Sequence, residues 1–553
     1  MRNGGQILVE SLVALGATKA FGVPGESYLA VLDALHDTQG KLDFVLCRNE
    51  GGAGFMAAAW GKLTGQPGIA MVTRGPGATN ASIGVHTAMQ DSSPMILFVG
   101  QVGTDMRGRE AFQEIDYRAF YGTVAKWVVE IDDADRIPEL LSRAWVTALT
   151  GRPGPVVVAL PEDILTATTD AAPLAGPPRI AEPAPDATAV AEALDLLSRA
   201  ERPAIMIGGS NWTAHGRADL QRFAEASGIP VIAALRHQDM FDNNSPCYGG
   251  DLGLGLTASV RRTIAEADVV LAINTRFGEI STEGYTLFEV PRPRQRLVHV
   301  HPSDREIGKI YIPDIGIHAG PNAFAAALAP VRSGWADWLS QARAAFEQSF
   351  DLPPQPVGLD MAQVMAHLRQ AVPEDVILTN GAGNFTAWPN KFFRFGPEAR
   401  LLAPQSGAMG YGLPAAIAAK VAHPGRMVIC FAGDGDFQMN CQELATAAQA
   451  GAQPIVLIVN NGIYGTIRAH QERNYPARVS GTGMVNPDFS ALARAYGFHS
   501  ERVERTEDFP AAFERARDSA SGAVLDLIVP AEALTPRQTL TAIRAAAIAR
   551  QGI

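Results

Sequence analysis

The 553-residue chain is 47% apolar and 19% charged, and its 46 basic and 57 acidic residues give a formal charge of −11. The two signs are interspersed, which argues against a basic nucleic-acid face and for small-molecule chemistry without nucleic-acid partners. No run of about 18 or more apolar residues offers a membrane span, and the length calls for about three domains rather than one core.

The N-terminal stretch MRNGGQILVESLVALG lacks an apolar segment followed by a small-residue cleavage site, so a cytoplasmic protein is expected. Three apolar runs then predict buried strands separated by helices: residues 43–47, 68–72 and 95–100. Prolines 173, 177, 178, 183 and 185 mark a first linker. The next piece carries runs at 204–208, 230–235, 269–274 and 297–300, before a second linker with Pro353, Pro354 and Pro356. The last piece has runs at 376–379, 427–432, 454–459 and 523–529, and a basic amphipathic helix is predicted in the tail. Unbroken apolar strands alternating with helices indicate parallel sheets covered on both faces. The fold expected is α/β, with three doubly wound parallel-sheet domains at 1–170, 188–345 and 358–530, and a helical tail at 531–553. Cys47 and Cys430 fall in apolar runs, and with Cys247 and Cys441 they form no close ligand pairs, as reduced thiols would.

One stretch carries chemistry most directly. The run at 427–432 ends in Gly433-Asp434-Gly435-Asp436, a helix is predicted at about 440–450, and the run at 454–459 ends in Asn460-Asn461. In a right-handed βαβ unit both loops emerge at the carboxyl edge, which brings Asp434 and Asn461 together. A carboxylate and an amide oxygen suit a hard octahedral cation that takes further ligands from phosphate, water and a carbonyl. Gly433 and Gly435 allow backbone amides to approach a diphosphate at a helix start. A lone Gly-Asp-Gly would be compatible with a simple turn; its pairing with Asn-Asn at βαβ spacing favours the site.

This arrangement resembles the thiamine diphosphate (ThDP) motif of the acetolactate synthase-like family. The resemblance implies Mg²⁺ held by the side chains of Asp434 and Asn461 and by the Ile463 carbonyl. Where the family has a small residue after Gly-Asp-Gly, this chain has Asp436. Residues 406–414 resemble the family's Gly-x-Met-Gly segment, which implies that Met409 wedges the cofactor into a bent shape. Gly407 and Met409 would then contact the aminopyrimidine through their backbone. Asn384, in Gly381-Ala382-Gly383-Asn384, sits where relatives make further diphosphate contacts.

ThDP chemistry needs a carboxyl group bonded to the pyrimidine N1′. Residues 49–80 resemble the family's pyrimidine-binding domain and make Glu50 that group, although Asn49 replaces the usual His before it. By the same resemblance Gln113 lines the reaction pocket. His86 is a pocket candidate and equally compatible with a structural helix histidine. The family builds each site from two subunits, so a homodimer or homotetramer is implied.

Carboligation and decarboxylation differ in the fate of the decarboxylated substrate. Pyruvate decarboxylases carry a His-His pair and a Glu six residues past the metal Asn; here no His-His pair exists and that position is Ile467. An aliphatic residue there matches acetolactate synthases and favours a carboligase, with a decarboxylase or carbon–carbon lyase as the alternative. A non-catalytic ThDP-binding protein would not need Glu50. His470 stands where the family has a substrate-selecting tryptophan, and Glu162 replaces the family lysine, so the acceptor stays open. Arg152, Gly208-Gly209 and Arg276 resemble parts of the family's FAD site. The usual Gly-Asp near the end of that domain reads Ala319-Gly320, which leaves FAD the weaker alternative there.

Overall fold

The computed structural model describes residues 1–331, 334–353, 355 and 358–551. Pro354, Pro356 and the last two residues of the tail lie outside the described residues.

Three six-stranded parallel sheets follow one another along the chain. The first contains β1 (Lys19–Gly22), β2 (Asp43–Leu46), β3 (Gly68–Val72), β4 (Met95–Gln101), β5 (Trp127–Glu130) and β6 (Pro155–Pro161), in the order β2-β1-β3-β4-β6-β5. The second contains β7 (Pro203–Ile207), β8 (Val231–Ala234), β9 (Tyr248–Leu252), β10 (Val269–Ile273), β11 (Arg296–His301) and β12 (Ile315–His318), ordered β9-β8-β7-β10-β11-β12. The third contains β13 (Ile377–Asn380), β14 (Arg400–Leu402), β15 (Val428–Gly433), β16 (Ile455–Asn460), β17 (His499–Val503) and β18 (Ala523–Ile528), ordered β14-β13-β15-β16-β18-β17. The first and third sheets therefore share one topology. The middle sheet has the strand order of dinucleotide-binding folds.

Central strands are buried along their whole length, as β3, β4 and β15 show, and an unbroken apolar run is their signature. Apolar runs did not announce β1 and β6 inside the first sheet, nor the edge strands β5, β9, β12, β14 and β17. In β5, β12, β14 and β17 buried residues mix with half-buried or exposed ones, because an edge strand is only partly covered.

Two small-residue helices join the first domain to the third. Helix α1 (Glu50–Thr64) packs against α2 (Pro76–Asp91) in its own domain and against α3 (Gly412–Ala422) in the other. Alanine and glycine dominate these faces, so the helix axes approach closely, and one apolar core runs through both domains. Buried polar groups fix the seam. The Arg48 amide donates to both carboxylate oxygens of the fully buried Glu443 at 3.2 Å, and Lys62 Nζ donates to the Ala403 carbonyl at 2.7 Å. The middle domain is tied on by the buried Asp239, which accepts from the Leu401 amide at 3.1 Å.

Candidate active site

The third sheet's register builds the site. Gly433 of β15 is the Cα partner of Val459 of β16, so Asp434 and Asn461 leave the carboxyl edge side by side. Helix α4 (Asp434–Gln438) begins at once, with Asp434 and Asp436 in its first turn, where carboxylates favour the helix dipole. The helix predicted at about 440–450 is present as a 3-10 turn over Cys441–Glu443 that runs into α5 (Leu444–Ala450). Asn440, outside helical backbone angles just before it, donates its side chain to the Gly410 carbonyl at 2.9 Å.

Asp434 is buried, and burial raises its pKa. Its Oδ2 accepts from the Gly462 amide at 2.8 Å and from Asn486 Nδ2 at 2.7 Å, while Oδ1 accepts from the Gly435 amide at 3.0 Å. Asn461 Oδ1 lies 3.2 Å from the Ile463 amide. Asn486 also donates to Asn460 Oδ1 at 2.9 Å, and Asn460 donates to Asp526 at 2.9 Å. Asn486 and Asp526 escaped sequence reasoning because they sit in a loop and mid-strand, where no spacing signals them.

Asp436 points away from this cluster. It is buried, and burial raises its pKa to about 7. Its Oδ1 accepts from the Ala382 amide at 3.0 Å and the Gly410 amide at 2.9 Å. One carboxylate oxygen thus pins together the two loops that contain Asn384 and Met409.

A cavity of about 240 Å³ opens between these loops, lined by Asn384, Gly407, Met409, Asp434, Asn461 and Ile463 among others. Gly407 sits at φ +66° with open space where a Cβ would be, whereas a Cβ on Gly435 would come within 2.6 Å of the Tyr464 ring. Asn384 Nδ2 is buried there without a partner among the described residues, while its Oδ1 accepts from Thr466 Oγ1 at 3.0 Å. An unpaired donor, a free backbone loop and a carboxylate beside an amide oxygen fit a diphosphate with a hard cation. Among the described residues no group of three His, Cys, Asp or Glu side chains offers an alternative metal centre.

Glu50 lies elsewhere. It opens α1 after Asn49, whose side chain caps the helix by accepting from the Gly51 amide at 2.8 Å, so the replacement of His by Asn has a structural use. Glu50 Oε2 accepts from Asn80 Nδ2 at 2.9 Å, at the carboxyl edge of the first sheet. Gln113 is on the same edge, in the left-handed region at φ +66°, packed where any side chain on Gly75 would meet it at 2.7 Å. Arg74 holds that loop by donating to the Phe112 carbonyl at 3.2 Å and by pairing with Glu162, which accounts for Glu162. His86 is exposed on α2, away from the cavity. No described residue of the first domain lines the cofactor cavity.

Ile467 is 54% exposed at the cavity wall, on α6 (Gly465–Asn474), and His470 one turn on lines a neighbouring cleft. The tail helix α7 (Leu540–Gln551) packs on α6 through Leu540, Ile543 and Ala547, and Leu534 just before it lines the cavity.

The residues that resemble a flavin site fall in two domains, Arg152 in the first and Gly208, Gly209 and Arg276 in the middle one. Gly209 and Arg276 line a cavity of about 150 Å³ at the carboxyl edge of the second sheet. Both arginines are engaged by the protein itself. Arg152 pairs with Glu306 at 3.3 Å and donates to Ser92 Oγ at 2.9 Å, and Arg276 donates to the Gln90 carbonyl at 2.6 Å.

No helix among the described residues is long and apolar enough to cross a membrane. The chain matches the thiamine pyrophosphate enzyme N-terminal TPP binding domain over residues 2–120, the central domain over 190–328, and the C-terminal TPP binding domain over 381–527. It is 34% identical to the acetolactate synthase large subunit of Corynebacterium glutamicum, over 96% of this chain and 87% of that one. It is 30% identical to the acetolactate synthase isozyme 2 large subunit of Escherichia coli, over 94% of each. With the mitochondrial acetolactate synthase catalytic subunit of Saccharomyces cerevisiae the identity is 31%, over 95% of this chain and 80% of that one. The chain therefore belongs to the thiamine pyrophosphate enzymes and is related along its whole length to acetolactate synthase large subunits.

Proposed function

We propose that this protein is a ThDP- and Mg²⁺-dependent carboligase that decarboxylates a pyruvate-like 2-oxo acid and transfers the acyl unit to a carbonyl acceptor. The chemistry that ThDP supplies when bound is a nucleophilic carbon that adds to the 2-oxo acid and holds the charge left by CO₂. Asp434, Asn461 and the Ile463 carbonyl hold Mg²⁺, and Asn384 Nδ2 donates to the diphosphate. Gly407 and Met409 present backbone groups to the pyrimidine, and Met409 sets its angle.

Glu50 holds a proton at the pyrimidine N1′. Since it lies outside the cavity of its own chain, a second copy supplies it, together with Gln113. A homodimer is thus the smallest active assembly, and a homotetramer is two of these. The exposed apolar residues Phe112 and Ile83 on the first domain, and Met439 and Val485 on the third, suit such a contact.

The observation that carries the ligase reading is Ile467 at the cavity wall. Asp434 and Asp436 are engaged at the metal end and with backbone amides, and the aliphatic side chain of Ile467 offers no proton. That spares the acyl unit for a second carbonyl. The decarboxylase reading rests on His470, which lines the adjoining cleft.

Proton NMR of the protein with ThDP, Mg²⁺ and pyruvate, without and with acceptor carbonyls, separates the two. Acetolactate or a mixed ketol supports the ligase, whereas acetaldehyde as the main product would sink it.

A further inference from the structure

A second cavity, of about 770 Å³, lies between the middle domain, the third domain and the segment that precedes the tail helix. Gly383, Asn384 and Gly407 line it as well as the cavity beside Asp434, so the two spaces adjoin. Its lining is strongly cationic. Arg236, Lys391, Arg473 and Arg537 face a single carboxylate, Asp251.

These cations are not equivalent. Lys391 and Asp251 neutralise each other, Nζ to Oδ1 at 2.6 Å. Arg537 turns its guanidinium onto the carbonyls of Ser349 and Asp351. Arg473 is half-buried and has no ion-pair partner among the described residues.

Arg236 stands out. Its residue is only 4% exposed, its backbone sits in the left-handed region at φ +60°, and it too lacks an ion pair among the described residues. Its one hydrogen bond runs from Nη1 to the Pro404 carbonyl, three residues before Gly407, which places it at the inner end of the cleft. Asp91 and Asp436 attract it only from beyond contact distance, and burial lowers its pKa to about 10. A buried guanidinium without a counter-charge is costly, and a fork of free donors matches a carboxylate or phosphate bidentately.

We propose that the substrate entering by this cleft carries an anionic group besides its reacting carbonyl, and that Arg236 binds this anion while Arg473 lines the approach. The substrate class is then a carbonyl compound with a remote carboxylate or phosphate, rather than a plain short-chain 2-oxo acid. This rests on the proposed function only for the identity of the reacting carbonyl.

The test is equilibrium binding, by calorimetry on the protein loaded with ThDP and Mg²⁺. Glutarate is compared with its neutral diamide, and propyl phosphate with propanol. Glutarate or propyl phosphate should bind at least tenfold more tightly than its neutral counterpart, and which of the two does so assigns carboxylate or phosphate. Arg236→Lys, which keeps the charge but loses the fork, should weaken that anion about tenfold. Arg473→Gln should weaken it severalfold, and its half-buried position keeps it informative if Arg236→Lys fails to fold. Equal binding of anion and neutral counterpart in both pairs overturns the proposal, as does undiminished anion binding in the folded variants. Anion binding without turnover of any 2-oxo acid would defeat the carboligase instead and leave the anion site standing.

Discussion

Asp436 shows how one carboxylate can organise two loops. Its Oδ1 is the shared acceptor for the Ala382 and Gly410 amides, and Gly381 must be glycine because a Cβ would fall within 2.0 Å of it. Asp436→Ala should cost about 1–3 kcal/mol for each orphaned amide and Asp436→Asn distinctly less, as urea denaturation would show. If the loops are the cofactor's cradle, both variants should also weaken ThDP binding, read by tryptophan fluorescence. At the metal end, Asp434→Asn should lower the apparent Mg²⁺ affinity at least tenfold, since of the two carboxylates among the described cavity-lining residues the other, Asp436, is turned onto the Ala382 and Gly410 amides. Unchanged cofactor titration curves for Asp434→Asn would exclude it as a ligand.

At the scale of elements, the tail helix depends on one buried carboxylate. Glu472 accepts from Arg544 Nε at 2.8 Å and Nη2 at 2.6 Å, from Arg468 Nε at 2.9 Å and from the Ala477 amide at 3.0 Å. These bonds, Arg544 first among them, depress its pKa from 4.5 to about 2. A group depressed on folding stabilises the native state above its unfolded pKa and loses that contribution as pH falls through the folded one. The α6–α7 contact should therefore be intact at neutral pH and weaken progressively from about pH 4.5 towards 2. Arg544→Ala should release the tail already at neutral pH, costing about 2 kcal/mol of local stability. Hydrogen exchange of residues 540–551 would show both effects, and protection that ignores pH and Arg544 would refute them. Because Leu534 lines the cofactor cavity, release should also speed cofactor loss.

Across the whole molecule, the separation of Glu50 from the cavity has the largest consequence. If each site takes Glu50 from one copy and Asp434 from another, then neither Glu50→Gln nor Asp434→Asn protein alone should turn over substrate. Mixed after mild dissociation, they should form hybrids with one intact site each, recovering about a quarter of the wild-type sites at equal mixing. A mixture as inactive as its parents would place both residues in a site within one chain. Sedimentation should show a dimer or larger assembly, and Val485→Asp, at a fully exposed apolar position, should shift it towards monomer.

Much of this was legible in the residues. Apolar runs marked most of the buried strands because a parallel strand covered on both faces admits no polar alternation. The Gly-Asp-Gly and Asn-Asn pair marked the sheet edge, because βαβ chirality leaves both loops on one side. Edge strands were harder to see, since they are only partly covered. Asn486, Asp526 and Glu443 could not be found either, because a hydrogen-bond partner from a distant loop leaves no spacing in the chain. Asp436 was visible, but its direction was not. A carboxylate next to a diphosphate motif reads as repulsion until the Ala382 and Gly410 amides, 54 and 26 residues away, are seen to meet it.

The sequence by itself determined the three parallel-sheet layers, the order of the motifs and the chemistry they offer, since these follow from local pattern and backbone rules. Only the tertiary structure decided which groups share a space. It put Arg236 of the middle domain at the inner end of a cleft floored by the third. It engaged Arg152 with Glu306 and Ser92 and Arg276 with the Gln90 carbonyl, and it kept Glu50 out of the cavity that Asp434 lines. Such juxtapositions depend on how domains pack, and packing is settled by surfaces brought together from far apart in the chain.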